Sequence, residues 1–264
     1  MKSKGAIITL IILLVLIIAL LVMFLVYGLT GKGFQFGFVR FGSKSTKVVF
    51  DKKFDVDEIE KIEIKQDAGD IIFKKTSNDY VQVVLYGEDN SKFHVDMKNS
   101  TLSVDYTDNQ EMVLFSFGAK LNDIIVYLPA SYEREVKISN DYGKCEIEDF
   151  EEASFNIECD AGNVEIGKIK DAKIKCDYGN IEIDEILNKC DIKADCGNID
   201  IDRISIQENS KIKADLGNVN IGKANDIYID ASVDLGKTNI SQNNRNAEIM
   251  LTIKCDCGNV TVGK

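Results

Sequence analysis

IKADCGNIDI, residues 192–201, is one of eight writings of a phrase that this 264-residue chain repeats between residues 64 and 262. In an extended strand Ile192 and Ala194 point one way, and Lys193 and Asp195 the other. Beyond Cys196-Gly197-Asn198 the alternation resumes, with Ile199 and Ile201 inward and Asp200 outward. Each copy therefore reads as strand, tight turn, strand. Working outward, the consecutive copies are ISNDYGKCEI from Ile138, IECDAGNVEI from Ile157, IKCDYGNIEI from Ile174, IKADLGNVNI from Ile212, ASVDLGKTNI from Ala231 and IKCDCGNVTV from Ile253. A lone earlier copy, IKQDAGDIIF, starts at Ile64.

The near-constant positions are those of the turn: Asp141, Gly143, Asp160, Gly162, Asn163, Asp177, Gly179, Asn180, Asp195, Gly197, Asn198, Asp215, Gly217, Asn218, Asp234, Gly236, Asp256, Gly258 and Asn259. Glycine supplies a positive φ there, and the Asp carboxylate is expected to accept from its own turn amides. A period of roughly twenty residues marks a stacked solenoid, in which no level buries its apolar face alone. Short third segments such as GKIKDA (167–172) and DEILNKC (184–190) return the chain to the next level through Ile169, Ile186 and Leu187. The reading is a parallel β-helix of about 19 residues per rung, with levels about 4.8 Å apart. Its inward ladders are Ile138, Ile157, Ile174, Ile192, Ile212, Ala231, Ile253 and Ile147, Ile166, Ile183, Ile201, Ile221, Ile240, Val262. Outward positions before the turn are often Lys (175, 193, 213, 254), and those after it often acidic (Glu146, Glu165, Glu182, Asp200).

The first residues follow another rule. From Ala6 to Leu29 runs an uncharged apolar stretch long enough to span a bilayer as a helix. It exceeds the apolar region of a cleaved signal peptide, and no small-residue cleavage site follows. Residues 1–29 are thus expected to be a cytoplasmic tail and single-pass membrane anchor, with the carboxyl-terminal domain extracytoplasmic. Lysines and arginines flank both ends of the span, so the charge rule alone does not orient it. Residues 30–47, Gly-rich and carrying Phe34, Phe36, Phe38 and Phe41, read as a juxtamembrane linker that either rests at the lipid interface or hangs free. Residues 48–130 alternate without the strict period and read as irregular amino-terminal rungs, closed by Pro129, the only proline. Residues 131–264 are the regular array.

The formal net charge is −11, and the first thirty residues contribute only lysine to it, so the remainder is more acidic still. That excludes nucleic acid as a partner, which needs a basic footprint. The seven cysteines stand in columns otherwise filled by Ala, Val and Ile, the places of buried free thiols, and lack zinc spacing. The Asp ladder lacks the denser Gly-Gly-x-Gly-x-Asp pattern of calcium-binding repeats. No metal and no cofactor is expected. The one histidine, His94, sits in an alternating strand, and no nucleophile elbow, phosphate loop or metalloprotease motif occurs. The chain reads as no enzyme.

The repeats of the form D-x-G-[NK]-[IV]-x-I, the strand ending VYLP at 126–129 and the early copy IKQDAGDIIF together resemble the "putative adhesin" β-strand repeat, or toast-rack, domain of unknown function. The resemblance covers Val48 to the carboxyl end. It implies a right-handed parallel β-helix, often hung from a transmembrane segment, in envelope-stress systems of the Lia and phage-shock type that sense or scaffold outside the membrane. It carries no catalytic residues. The expected role is an interaction, scaffold or sensing module. An adhesin or glycan-binding rod and a polysaccharide-cleaving β-helix enzyme are the alternatives. The last rung, IKCDCGNVTVGK, runs to residue 264 with no cap in sight and is expected to leave an open edge for a protein partner. Oligomeric state is not legible in the sequence.

Overall fold

Alternating apolar and polar residues form strands through most of the described chain, and inter-strand register decides which neighbours each strand meets. The structure, a computed structural model, describes residues 34–36, 39–41, 46–87, 90–107, 115–117 and 122–263. The expected anchor, 6–29, lies outside them. Among the described residues no helix is long and apolar enough to cross a membrane. Parts of the expected linker are strands: Phe34–Phe36 pairs antiparallel with Val39–Phe41 and with Phe115–Phe117, a small unit of its own.

In the main unit the two arms of each turn pair parallel with the arms of the neighbouring turns, so the copies stack as rungs and do not fold back as hairpins. The arm Glu135–Tyr142 lies between Lys61–Ala68 and the strand Phe150–Ala161. The stack continues through Val164–Tyr178, Ile181–Cys196 and Ser210–Leu216, with Ile138↔Ile157↔Ile174↔Ile192↔Ile212 in one column. All five isoleucines are buried. Some strands bend through a corner without a break, and Ile169, Ile186 and Ile204 supply a third inward column.

Two departures from the simple reading matter. The early copy, 61–76, is a regular rung stacked directly on 135–147. Beyond it lies a composite level: Thr101–Tyr106 pairs parallel with Lys61–Gln66, and Ile124–Pro129 with Ile71–Thr76. Antiparallel strands close this end, Val48–Asp55 against Tyr80–Tyr86, Tyr80–Tyr86 against Asp123–Pro129, and His94–Lys98 against Thr101–Tyr106. Edge-on rings of Phe73 and Phe155, centroids 5.6 Å apart, fill the core near the early rung.

At the other end chain order and stacking order part. Ser210–Leu216 pairs with Met250–Cys257, and Met250–Cys257 in turn with Tyr228–Leu235. The second arms agree: Val219–Ile221 pairs with Val260–Val262, which pairs with Thr238–Ile240. The last copy in sequence is thus inserted beneath the one before it. This corrects the expected open carboxyl-terminal edge, because 250–262 is sandwiched and 228–240 forms the end. The physical reason lies in the columns. The 250–262 copy places Ile253, Cys255, Val260 and Val262 inward, all buried, whereas the 228–240 copy puts Ala231 in the Ile column and Thr238 in the Val/Ile column. A level covered on one side only is where small and polar inward residues cost least.

Candidate interaction surfaces

At the turn, Gly143, Gly162, Gly179, Gly197, Gly217, Gly236 and Gly258 all have φ between +143° and +156°. Their N–H groups climb the stack: Gly162 N donates to Tyr178 O at 2.9 Å, Gly179 to Cys196 O at 3.0 Å, Gly197 to Leu216 O at 2.9 Å, and Gly217 to Cys257 O at 3.0 Å. The asparagines form a second ladder. Asn163 Oδ1 accepts from Asn180 N, Asn180 Oδ1 from Asn198 N, Asn198 Oδ1 from Asn218 N, and Asn218 Oδ1 from Asn259 N, at 2.9–3.1 Å. Asn259 Oδ1 completes it on Lys237 N at 3.1 Å. At the opposite end Asp123 and Asp70 carboxylates play the same part toward Asp70 N and Lys144 N. Asn198→Ala should strand the Asn218 amide and cost about 1–2 kcal/mol, read as a lower urea midpoint with an unchanged slope. Asn198→Asp, which keeps the acceptor, should recover much of it.

The ladder Asp residues do something other than expected. Among the described residues the amides of the turn are bonded to Asn side chains and neighbouring carbonyls. The Asp carboxylates turn outward to the Lys two places earlier, the same face of the same strand. Lys175–Asp177 is 2.8 Å, Lys193–Asp195 2.6 Å and Lys213–Asp215 2.5 Å. Where Ser139 and Glu158 replace that Lys, burial, helped by Asp160 and Asp67, pushes the Asp141 carboxyl above its ordinary value. Asp234, on the open rung, is exposed, with Ser232 in the Lys place. Among the described residues no group of three His, Cys, Asp or Glu side chains is placed to hold a metal ion. His94 is exposed on its strand.

All seven cysteines are free, and five of them, Cys145, Cys159, Cys176, Cys190 and Cys255, are buried. Cys176 Sγ lies 3.5 Å from Gly162 O and 3.6 Å from Gly179 O, and Cys255 Sγ 3.3 Å from Gly217 O. The inward column before the Asp therefore faces glycine carbonyls, and a thiol is a weak donor to them. Asn140 holds the same place two levels below Cys176, donating to Gly69 O at 3.1 Å. Burial pushes the Cys190 thiol up to about 12. These thiols are packing groups, and poor nucleophiles.

Two surfaces remain. One is an apolar ridge made by the residue between Asp and Gly of each turn, a column that alternation alone assigned to the turn and not to a face. In stacking order it reads Tyr142, Ala161, Tyr178, Cys196, Leu216, Cys257, Leu235. Tyr178 is 53 % exposed, Leu216 54 % and Leu235 69 %, and these are three of the four large hydrophobics in the described residues that lie so open. The two thiols that are not buried, Cys196 and Cys257, also lie on it, partly exposed. The other surface is the end rung, 228–240. Asn243 covers one place on it, its Oδ1 accepting from Ile229 N at 3.0 Å and its Nδ2 donating to Ile229 O at 2.9 Å, as a neighbouring strand would. A groove on the rod's side is lined by Glu146, Glu165, Glu182 and Asp184 together with Lys75.

These features define an all-β repeat protein in which stacked turns, not a compact centre, set the surface. Residues 59–263 match the family model described as Toastrack DUF4097, most of the chain, and the chain belongs to that family. No curated protein matches it. Among solved structures it is similar to one described as a "putative adhesin" from Bacteroides fragilis NCTC 9343, with 15% identity over 83% of this chain and 98% of that chain and a TM-score of 0.50. A "putative adhesin" from Parabacteroides distasonis ATCC 8503 matches at 13% identity over 83% of this chain and 99% of that one, TM-score 0.44. The first likeness supports the fold.

Proposed function

We propose that this chain is a membrane-anchored, non-enzymatic β-solenoid acting outside the membrane as an interaction, scaffold or sensing module of the cell envelope, in stress responses of the Lia and phage-shock type. The observation that supports the reading is the open rung. Residues two apart on a strand present their N–H and C=O to the same side. Asn243 occupies those of Ile229, and those of Ala231 and Val233 face the same way with no strand beyond among the described residues. Such edges are ordinarily blunted by proline, lysine or a bulge. The stretch 228–240 has no proline and a single lysine, Lys237. An extended segment of another envelope protein would add here as one further strand, its backbone giving affinity and Leu235 a side-chain contact.

The adhesin reading has one observation behind it, the ridge with Tyr142 and Tyr178, beside neighbours of adhesin description. Aliphatic residues and thiols fill the ridge's other levels, which suits protein better than sugar. The test is labelling of Lys237→Cys, in a Cys196→Ser/Cys257→Ser background, with a membrane-impermeant maleimide in bacterial cells. Label should enter intact cells, and more slowly relative to a Lys223→Cys reference than in purified protein. Label only after permeabilisation would remove the extracytoplasmic role, and equal relative rates would remove the docking edge.

A further inference from the structure

We propose that the apolar ridge pairs two copies of this chain side by side, rods parallel and in register, about a two-fold axis running along the rod. The ridge shares only its end residue, Leu235, with the open rung, and the two ideas stand or fall separately.

Three observations point to a second copy. The ridge is a ladder, one residue per level over the six steps from Tyr142 to Leu235, a strip about 29 Å long at the ordinary strand spacing in which Ala161 alone is buried. A surface with that period is matched level by level by another of the same period, and a two-fold interface requires such self-complementarity. The flanks choose the direction. On one side stand Lys175, Lys193 and Lys213, each tied to its Asp, and on the other Glu165, Glu182 and Asp200. A two-fold axis along the rod sets the lysine-bearing flank of each copy against the acidic flank of the other. An axis across the rod would set acid row against acid row. Finally, four of the five levels from Tyr178 to Leu235 carry Leu or Cys, side chains that two facing ridges bury without stranding a polar group.

The strip also bounds the strength. At about 10 Å wide it would bury roughly 300 Å² per copy, well short of the about 800 Å² per partner of a stable interface. The pair is therefore weak in dilute solution and needs the high effective concentration of a shared membrane or similar confinement. In register, each Cys196 faces its counterpart and each Cys257 likewise, while Leu216 stands between the two levels.

The experiment uses the full chain in membranes, treated with diamide and mapped by peptide analysis. The expected result is a reducible covalent dimer carrying Cys196–Cys196 and Cys257–Cys257 linkages, lost when both are changed to Ser. Leu216→Asp should lower its yield at least tenfold with the melting temperature unchanged, since that side chain is already more than half exposed. Tyr178→Asp, two levels away, repeats the test should Leu216→Asp disturb folding. A chain that stays monomeric under oxidation overturns the proposal. So do linkages joining Cys196 to Cys257, which mean antiparallel rods, and so does a yield indifferent to both ridge variants.

Discussion

Gly197→Ala is expected to unfold the middle of the rod. Gly197 has φ of +155°, and a Cβ built there would run into the carbonyl of Gly179 one level below, lying 2.6 Å from its carbon. Two costs combine. An L side chain in that backbone region is strained by about 1–3 kcal/mol, and overpacking a rigid contact adds about as much. The obstacle is backbone, held by the bond from Gly179 N to Cys196 O, so no rotamer change relieves it. A combined loss of about 2–6 kcal/mol is large against the stability of an ordinary domain. The check is urea unfolding beside Gly167→Ala, where φ lies outside the left-handed region and the nearest atom is an Asp149 carboxylate oxygen, a side-chain end that can shift at the cost of its bond from Lys168 N. Equal losses for the two variants would mean that close turn-to-turn approach is not what glycine provides.

Ending the chain after residue 249 is expected to dissolve two rungs, not one. The missing residues form the level that joins 210–224 to 228–240, through Gly217 N to Cys257 O, Val219 N to Asn259 O, Gly258 N to Leu235 O and Val260 N to Lys237 O. Their buried side chains, Leu251, Ile253, Val260 and Val262, are each worth about 1.5–3 kcal/mol by burial. Hydrogen exchange should then show 228–240 unprotected although every one of its residues is still present, and 210–224 protected less than before. A control ending after residue 226 should leave 210–224 with the same protection. If 228–240 stayed protected, that copy would have restacked directly on 210–224, and Ala231 and Thr238 would not be what keeps it at the end.

Much of the rod is legible in the chain because in-register parallel stacking gives each residue the same surroundings as its counterpart one rung away. That is why columns such as Ile138 to Ile253 and Cys159 with Cys176 could be assigned to the interior from alternation. The Lys–Asp pairs were within reach too, since a spacing of two puts both on one face. Local turn chemistry suggested amide acceptance for those aspartates, but the adjacent rung supplies asparagine for that task. The ridge was visible as the residue between Asp and Gly. Its exposure was not, because alternation fails at a turn and leaves no rule for which way Tyr178 or Leu216 points.

By itself the sequence determined the rung: its period, its inward and outward columns, its glycine turn and its all-β class. Only the tertiary structure decided the order of the rungs at both ends, with 101–106 and 123–129 brought together as one level and 250–262 slipped beneath 228–240. Backbone pairing between equivalent columns is nearly the same for any order of copies, so it does not choose. The choice falls to burial. A copy with Ile253, Val260 and Val262 inward gains most with a neighbour on each side, and a copy with Ala231 and Thr238 loses least with one side bare.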